Sequence, residues 1–262
     1  MNFDDFKREI KLSYMQHPHD QREEELYSIV LSILRDNNLN KNRYSFRDIH
    51  QNPKKRNNVL YGISSNPDLA VYDLKLTDDR NFNQKNFIYG VVEIKAIGTT
   101  LNGEERTQLF NELVWFGRVL YTNGVHWALY EYDNTKIENK LKKIYDLNEE
   151  IVKLRNQLRN KKKDSNDKES EITEIENAIA EITKDINEVI ESVTSNIDLD
   201  SLKRKDFDIW LCNKKIVFDK KNEPILPRRF PMISEKKYNE LCQKLRNLNW
   251  KYKVQQRLLC VL

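Results

Sequence analysis

Two carboxylates and a lysine are set apart by where they fall in the chain. Asp68 opens an apolar run, Leu69-Ala70-Val71-Tyr72-Asp73-Leu74, and Glu93-Ile94-Lys95 closes another that begins at Phe87. Residues two apart on a strand share a face, so Glu93 and Lys95 project together while Val92 and Ile94 point the other way. Charged side chains on so apolar a strand are costly unless something pairs them. If the two runs are neighbouring strands, Asp68 approaches Glu93, and the pair forms an all-oxygen cage suited to Mg2+ or Mn2+. A metal held there activates a water and neutralises charge on a phosphorane-like transition state. Lys95 is placed to orient or deprotonate that water, or to stabilise the scissile phosphate. The chemistry these residue types point to is hydrolysis of a phosphodiester bond.

The elements around them follow from periodicity. Phe3, Phe6, Ile10 and Tyr14 fall at helical spacing, and after His17-Pro18-His19 a second helix is expected over 20–35 with Leu26, Ile29, Val30, Ile33 and Leu34 as its stripe. Residues 36–66, rich in Asn, Lys and Arg, read as an irregular connection. The two strand-like runs, separated by a polar turn over 77–86, suit an antiparallel pair. A helix is expected over 104–121 with Leu109, Leu113, Phe116 and Leu120 on one face, then a strand over 125–132 after Asn123-Gly124. Strand-like Phe207 to Leu211, a short run from Lys215 to Phe218 and a helix over 235–248 complete an α/β pattern.

Residues 136–193 differ in character, with no Gly and no Pro. Apolar residues recur at Ile137, Leu141, Ile144, Leu147, Ile151, Leu154 and Leu158, and again at Ile172, Ile175, Ile179, Ile182, Ile186, Val189 and Val193. Alternating steps of three and four are the signature of a coiled coil. The first arm carries ten Lys/Arg against four Asp/Glu over 136–163, and the second one Lys against eight Asp/Glu over 169–191. Opposite charges suit an intramolecular antiparallel hairpin turning near Ser165, with facing residues whose numbers add to 330 or 329. The expected organisation is an α/β core, 1–135 and 197–262, interrupted by a hairpin insertion over 136–196.

Pro67-Asp68 followed by Glu93-Ile94-Lys95 resembles the PD-(D/E)XK nuclease superfamily, over roughly 20–132. The resemblance implies a restriction-endonuclease-like mixed central sheet flanked by helices. It implies a Mg2+- or Mn2+-dependent endonuclease, with Asp68 and Glu93 as metal ligands, Lys95 as the catalytic lysine and DNA favoured over RNA. A role in restriction, phage defence or a mobile element follows only by analogy of fold. Members often carry a Gln on the helix after the motif, which Gln108 matches, and a Glu on the first helix. For the latter Glu23 is favoured over Glu25, although Asp20-Gln21-Arg22-Glu23 also has the shape of a capping box. Glu24 points away from the stripe. His17 and His19 are further candidate ligands, with a plain loop the simpler reading.

The substrate side rests on basic clusters: Lys54-Lys55-Arg56, Lys203-Arg204-Lys205, Arg228-Arg229 and, at the hairpin turn, Lys161-Lys162-Lys163. Tyr44, Phe46 and Arg47 either contact bases or pack. The net charge of +4 permits nucleic-acid binding without arguing for it. No apolar run nears the roughly 20 residues of a membrane helix, and the first residues lack the pattern of a signal peptide. Cys212, Cys242 and Cys260 have no metal-type spacing and read as reduced thiols of a cytoplasmic protein. The alternative function is a non-enzymatic interaction protein, or a nuclease subunit, acting through the hairpin, and a protein partner or self-association is expected through residues 136–196.

Overall fold

The computed structural model describes residues 1–16, 23–39, 44–49, 67–73, 88–97, 99, 101, 103–133, 137–163, 169–195, 197–213 and 232–250. Six strands form one sheet in chain order: β1 (Tyr44–Asp48), β2 (Leu69–Asp73), β3 (Ile88–Ile94), β4 (Arg118–Thr122), β5 (His126–Glu131) and β6 (Lys203–Trp210). Every neighbouring pair is antiparallel except β3 and β4, which are parallel. A parallel pair needs a crossover long enough to return the chain, and a helix, α3 (Gly103–Phe116), supplies it.

Helices cover both faces. On one side α1 (Phe3–Gln16), α2 (Glu24–Asp36) and α6 (Glu235–Asn247) pack on Val71, Val92, Ile94, Leu120, Trp127 and Ile209. On the other, α3 packs on Ala70, Val91, Val119 and Tyr121. Alternation along each strand divides the two sets, and β3, covered on both faces, is buried throughout.

Two long helices, α4 (Glu138–Lys163) and α5 (Glu169–Thr194), pack along each other as an antiparallel pair. Lys140 Nζ donates to Ser192 Oγ at 3.0 Å near the base, while Lys162 pairs with Glu176 at 2.8 Å and Lys161 with Glu171 towards the far end. Leu141, Ile144, Ile151, Ile186 and Val193, all on the expected stripes, are buried. The base of the pair belongs to the same apolar cluster as α3 and the sheet, so Leu141, Ile144 and Val193 are shared between hairpin and core. Fully burying each such side chain contributes roughly 1.5–3 kcal/mol.

Three sequence expectations need correction. The helix expected over 104–121 ends at Phe116: Gly117, at φ +75°, takes the left-handed conformation that closes helices, and 118–122 continues as β4. Leu120 therefore packs on the α1/α2 side, away from Leu113. The irregular connection over 36–66 contains β1, whose Tyr44 and Phe46 alternate inward. The strand expected from Phe207 begins at Lys203 and takes in Lys203-Arg204-Lys205, because its alternation is set by pairing with β5 and not by hydrophobicity. The positions 20–22, His17, His19, 54–56, 215–218, Ser165, 228–229 and Cys260 lie outside the described residues. Among the described residues no helix is long and apolar enough to cross a membrane.

Candidate active site

The register that pairs Leu69 with Val92 places Asp68 beside Glu93 one step further on. By alternation with Ala70 and Val91, the side chains of Asp68, Glu93 and Lys95 leave the sheet on the α3 side. They lie at strand ends, where α2, from the opposite layer, also reaches round. Glu93 is 1% exposed, and Asp68 and Lys95 are each 8% exposed.

Lys95 is the hub. Its Nζ lies 2.5 Å from Glu93 Oε1 and 3.9 Å from Glu23 Oε1, and it donates to Gln108 Oε1 at 3.2 Å. Gln108 Nε2 donates onward to Glu112 Oε1 at 3.3 Å. Asp68 is held separately: the Tyr27 hydroxyl donates to Oδ1 at 2.6 Å and the Ile94 backbone N–H to Oδ2 at 2.6 Å. Charge-assisted bonds of this kind contribute about 1.5–3 kcal/mol each. Five residues singled out by sequence, Glu23, Asp68, Glu93, Lys95 and Gln108, thus converge from four separate segments.

Glu23 and Glu25 are separated by this geometry. The Glu23 carboxylate faces Lys95 and accepts from the Ala96 backbone N–H, while the Asp20 end of the expected capping box lies outside the described residues. Among the described residues Lys95 forms its ion pairs with Glu93 and Glu23.

The electrostatics are those of a carboxylate excess. Burial pushes Glu93 well above the usual carboxylate range, and the neighbouring Glu112 and Asp68 push it further. Burial likewise raises Glu112, to about 8. Glu23 is raised by burial, against the pull of Lys95. Burial alone lowers the Lys95 ammonium, but Glu93, Glu23 and Asp68 outweigh it and leave the net shift upward. Burial and the adjacent Asp68 raise Tyr27, so it stays a hydroxyl donor.

Sequence reasoning missed Glu112 and Tyr27. Glu112 stands four residues after Gln108, on the same helix face, inside the apolar stretch Leu109 to Phe116. A carboxylate at that place was the available signal. Tyr27 resembled another core aromatic of the Leu26/Val30 stripe.

Other candidates are accounted for by packing and pairing. Tyr44 donates to Asn249, and Phe46 meets Trp250 edge-on, so both belong to the core. Lys203 pairs with Asp208 at 2.9 Å, and Arg204 pairs with Asp206 and Glu131, which leaves exposed Lys205 as the unspent charge of that run.

Among the described residues no three His, Cys, Asp or Glu side chains meet in the way that would hold a metal ion. The carboxylates meet in pairs. Mg2+ is usually held by one or two carboxylates and keeps several waters, so the donor set fits such an ion without a complete protein cage. Comparison with family models, with curated proteins and with solved structures finds no match.

Proposed function

We propose that this chain is a metal-dependent nuclease with a restriction-endonuclease-like core and an inserted coiled-coil hairpin, acting on nucleic acid with DNA preferred. The observation that supports it is the cluster itself, in which buried Asp68, Glu93 and Glu112 and half-buried Glu23 all act on one lysine. Such an arrangement is unfavourable as a structural device, because each uncompensated buried charge carries a large desolvation cost. Strongly shifted groups gathered at strand ends are instead characteristic of catalytic sites.

On this reading Asp68 and Glu93 would hold Mg2+ or Mn2+, with Glu23 nearby at the open side. The ion would supply Lewis-acid charge and an activated water at the phosphorus. Tyr27 and the Ile94 N–H fix the Asp68 carboxylate, so its lone pairs keep one orientation. Lys95, an ammonium with its pKa held up by the surrounding carboxylates, offers its charge to the phosphate rather than accepting a proton from water. Gln108 restrains the Lys95 ammonium through its amide oxygen. Glu23, whose side chain is 36% exposed against 9% for Lys95, marks the side from which a phosphate approaches.

The test is incubation of purified protein with supercoiled plasmid and with structured RNA, in Mg2+, Mn2+ or EDTA. Cleavage that needs the divalent ion and disappears in Lys95→Ala is expected. Cleavage that survives EDTA, or survives loss of Lys95, refutes the assignment.

A further inference from the structure

Glu112 is the one carboxylate of the cluster that the sequence resemblance does not point to, and its surroundings are incomplete. It is 1% exposed, and Gln108 Nε2 satisfies only Oε1. Its Oε2 has no hydrogen-bond partner, and neither carboxylate oxygen of Glu93 has a well-aligned one, although Lys95 Nζ stands 2.5 Å from Glu93 Oε1. The two carboxyl groups lie within hydrogen-bonding reach of each other. Facing carboxylates offer acceptors only, so nothing but a proton or a cation can join them. Buried acceptors that are left unjoined are rare and costly.

We infer that the Glu93–Glu112 pair is a divalent-cation site, with Glu112 a metal ligand and Gln108 its positioning residue. The inference rests on the reading of this cluster as a metal centre and extends it to a helix outside the motif. The chemistry is consistent: two hard oxygen ligands from the protein, with water completing the shell, match Mg2+ or Mn2+. Asp68 differs from the pair, since each of its oxygens already accepts a hydrogen bond. Gln108 is held by Lys95 on one side and by Glu112 on the other, so its amide sets which Glu112 oxygen turns towards Glu93. Ligand orientation of this kind is usually set by a hydrogen-bonded neighbour.

The experiment is Mn2+ binding to the full chain, read by electron paramagnetic resonance of free Mn2+, for wild type, Glu112→Gln and Gln108→Leu. Far-UV circular dichroism checks the fold of each. Glu112→Gln keeps the size of the side chain and its bond to Gln108, and is expected to bind one Mn2+ fewer than wild type. Gln108→Leu is expected to keep the ion with affinity weakened on the order of tenfold. Unchanged number and affinity in Glu112→Gln would mean that a shared proton joins the pair, and the inference falls alone. If wild type binds no Mn2+, the inference falls together with the metal-centred reading of the whole cluster.

Discussion

Replacing Glu112 by Gln should stabilise the metal-free protein, and increasingly so as pH rises. The Glu112 carboxyl is raised from 4.5 to about 8 in the fold, first by burial. Between those values the unfolded chain has released its proton while the folded chain still holds one. Stability therefore falls with rising pH across this window, by about 1.4 kcal/mol per unit for one proton. Gln is neutral throughout and does not incur that loss. With the carboxyl raised to about 8, the variant should exceed wild type by about 2 kcal/mol at pH 6 and about 4 kcal/mol at pH 8, as upper limits. The second figure corresponds to roughly 10 °C in Tm for a domain of this size. Urea titrations in EDTA at pH 5, 6, 7 and 8 measure both slope and offset. A wild-type stability that is flat from pH 5 to 8, or a Glu112→Gln variant less stable than wild type at pH 8, refutes the reasoning.

Lys95→Ala should abolish cleavage and also destabilise the metal-free fold by about 3–5 kcal/mol, since it strips a buried Glu93 of its cation; single-turnover assays and urea melts read the two effects separately. Tyr27→Phe should cost about 1.5–3 kcal/mol by losing the bond to Asp68 and lower cleavage without abolishing it, as checked by denaturation and initial rates. Glu23→Gln should reduce cleavage strongly and Glu25→Gln hardly at all, because Glu23 pairs with Lys95 inside the cluster; the reverse ranking of rates would overturn the placement. Excising 153–184 with a short Gly/Ser linker should leave a folded core of unchanged oligomeric state by light scattering, whereas excising 140–196 should destabilise it by several kcal/mol through loss of buried Leu141, Ile144 and Val193.

Patterns confined to one segment were legible in the chain. The strand that carries Glu93 and Lys95 is recognisable because its neighbours are apolar on both faces, and period-2 alternation puts the two charges on one side. The α4 and α5 stripes are equally local, since a heptad repeat is written within each arm. Where an element's fate depended on a partner, the pattern was ambiguous. Val119 and Leu120 continue a helical spacing, and only the left-handed Gly117 and pairing with β3 make them strand. Tyr44 to Asp48 is too short and too polar to read as strand without β2 beside it.

The cluster divides in the same way. That Asp68, Glu93 and Lys95 were chemically eligible was decided by residue type and position in the chain. That Glu23 turns to Lys95, that Tyr27 reaches Asp68, and that Glu112 faces Glu93 were decided by the β3–α3–β4 crossover and by α2 reaching round the strand ends. A carboxylate on an isolated helix is solvated and ordinary. Its raised pKa and its lack of a partner arise only when four segments meet and exclude water, because the cost of a charge depends on everything packed around it.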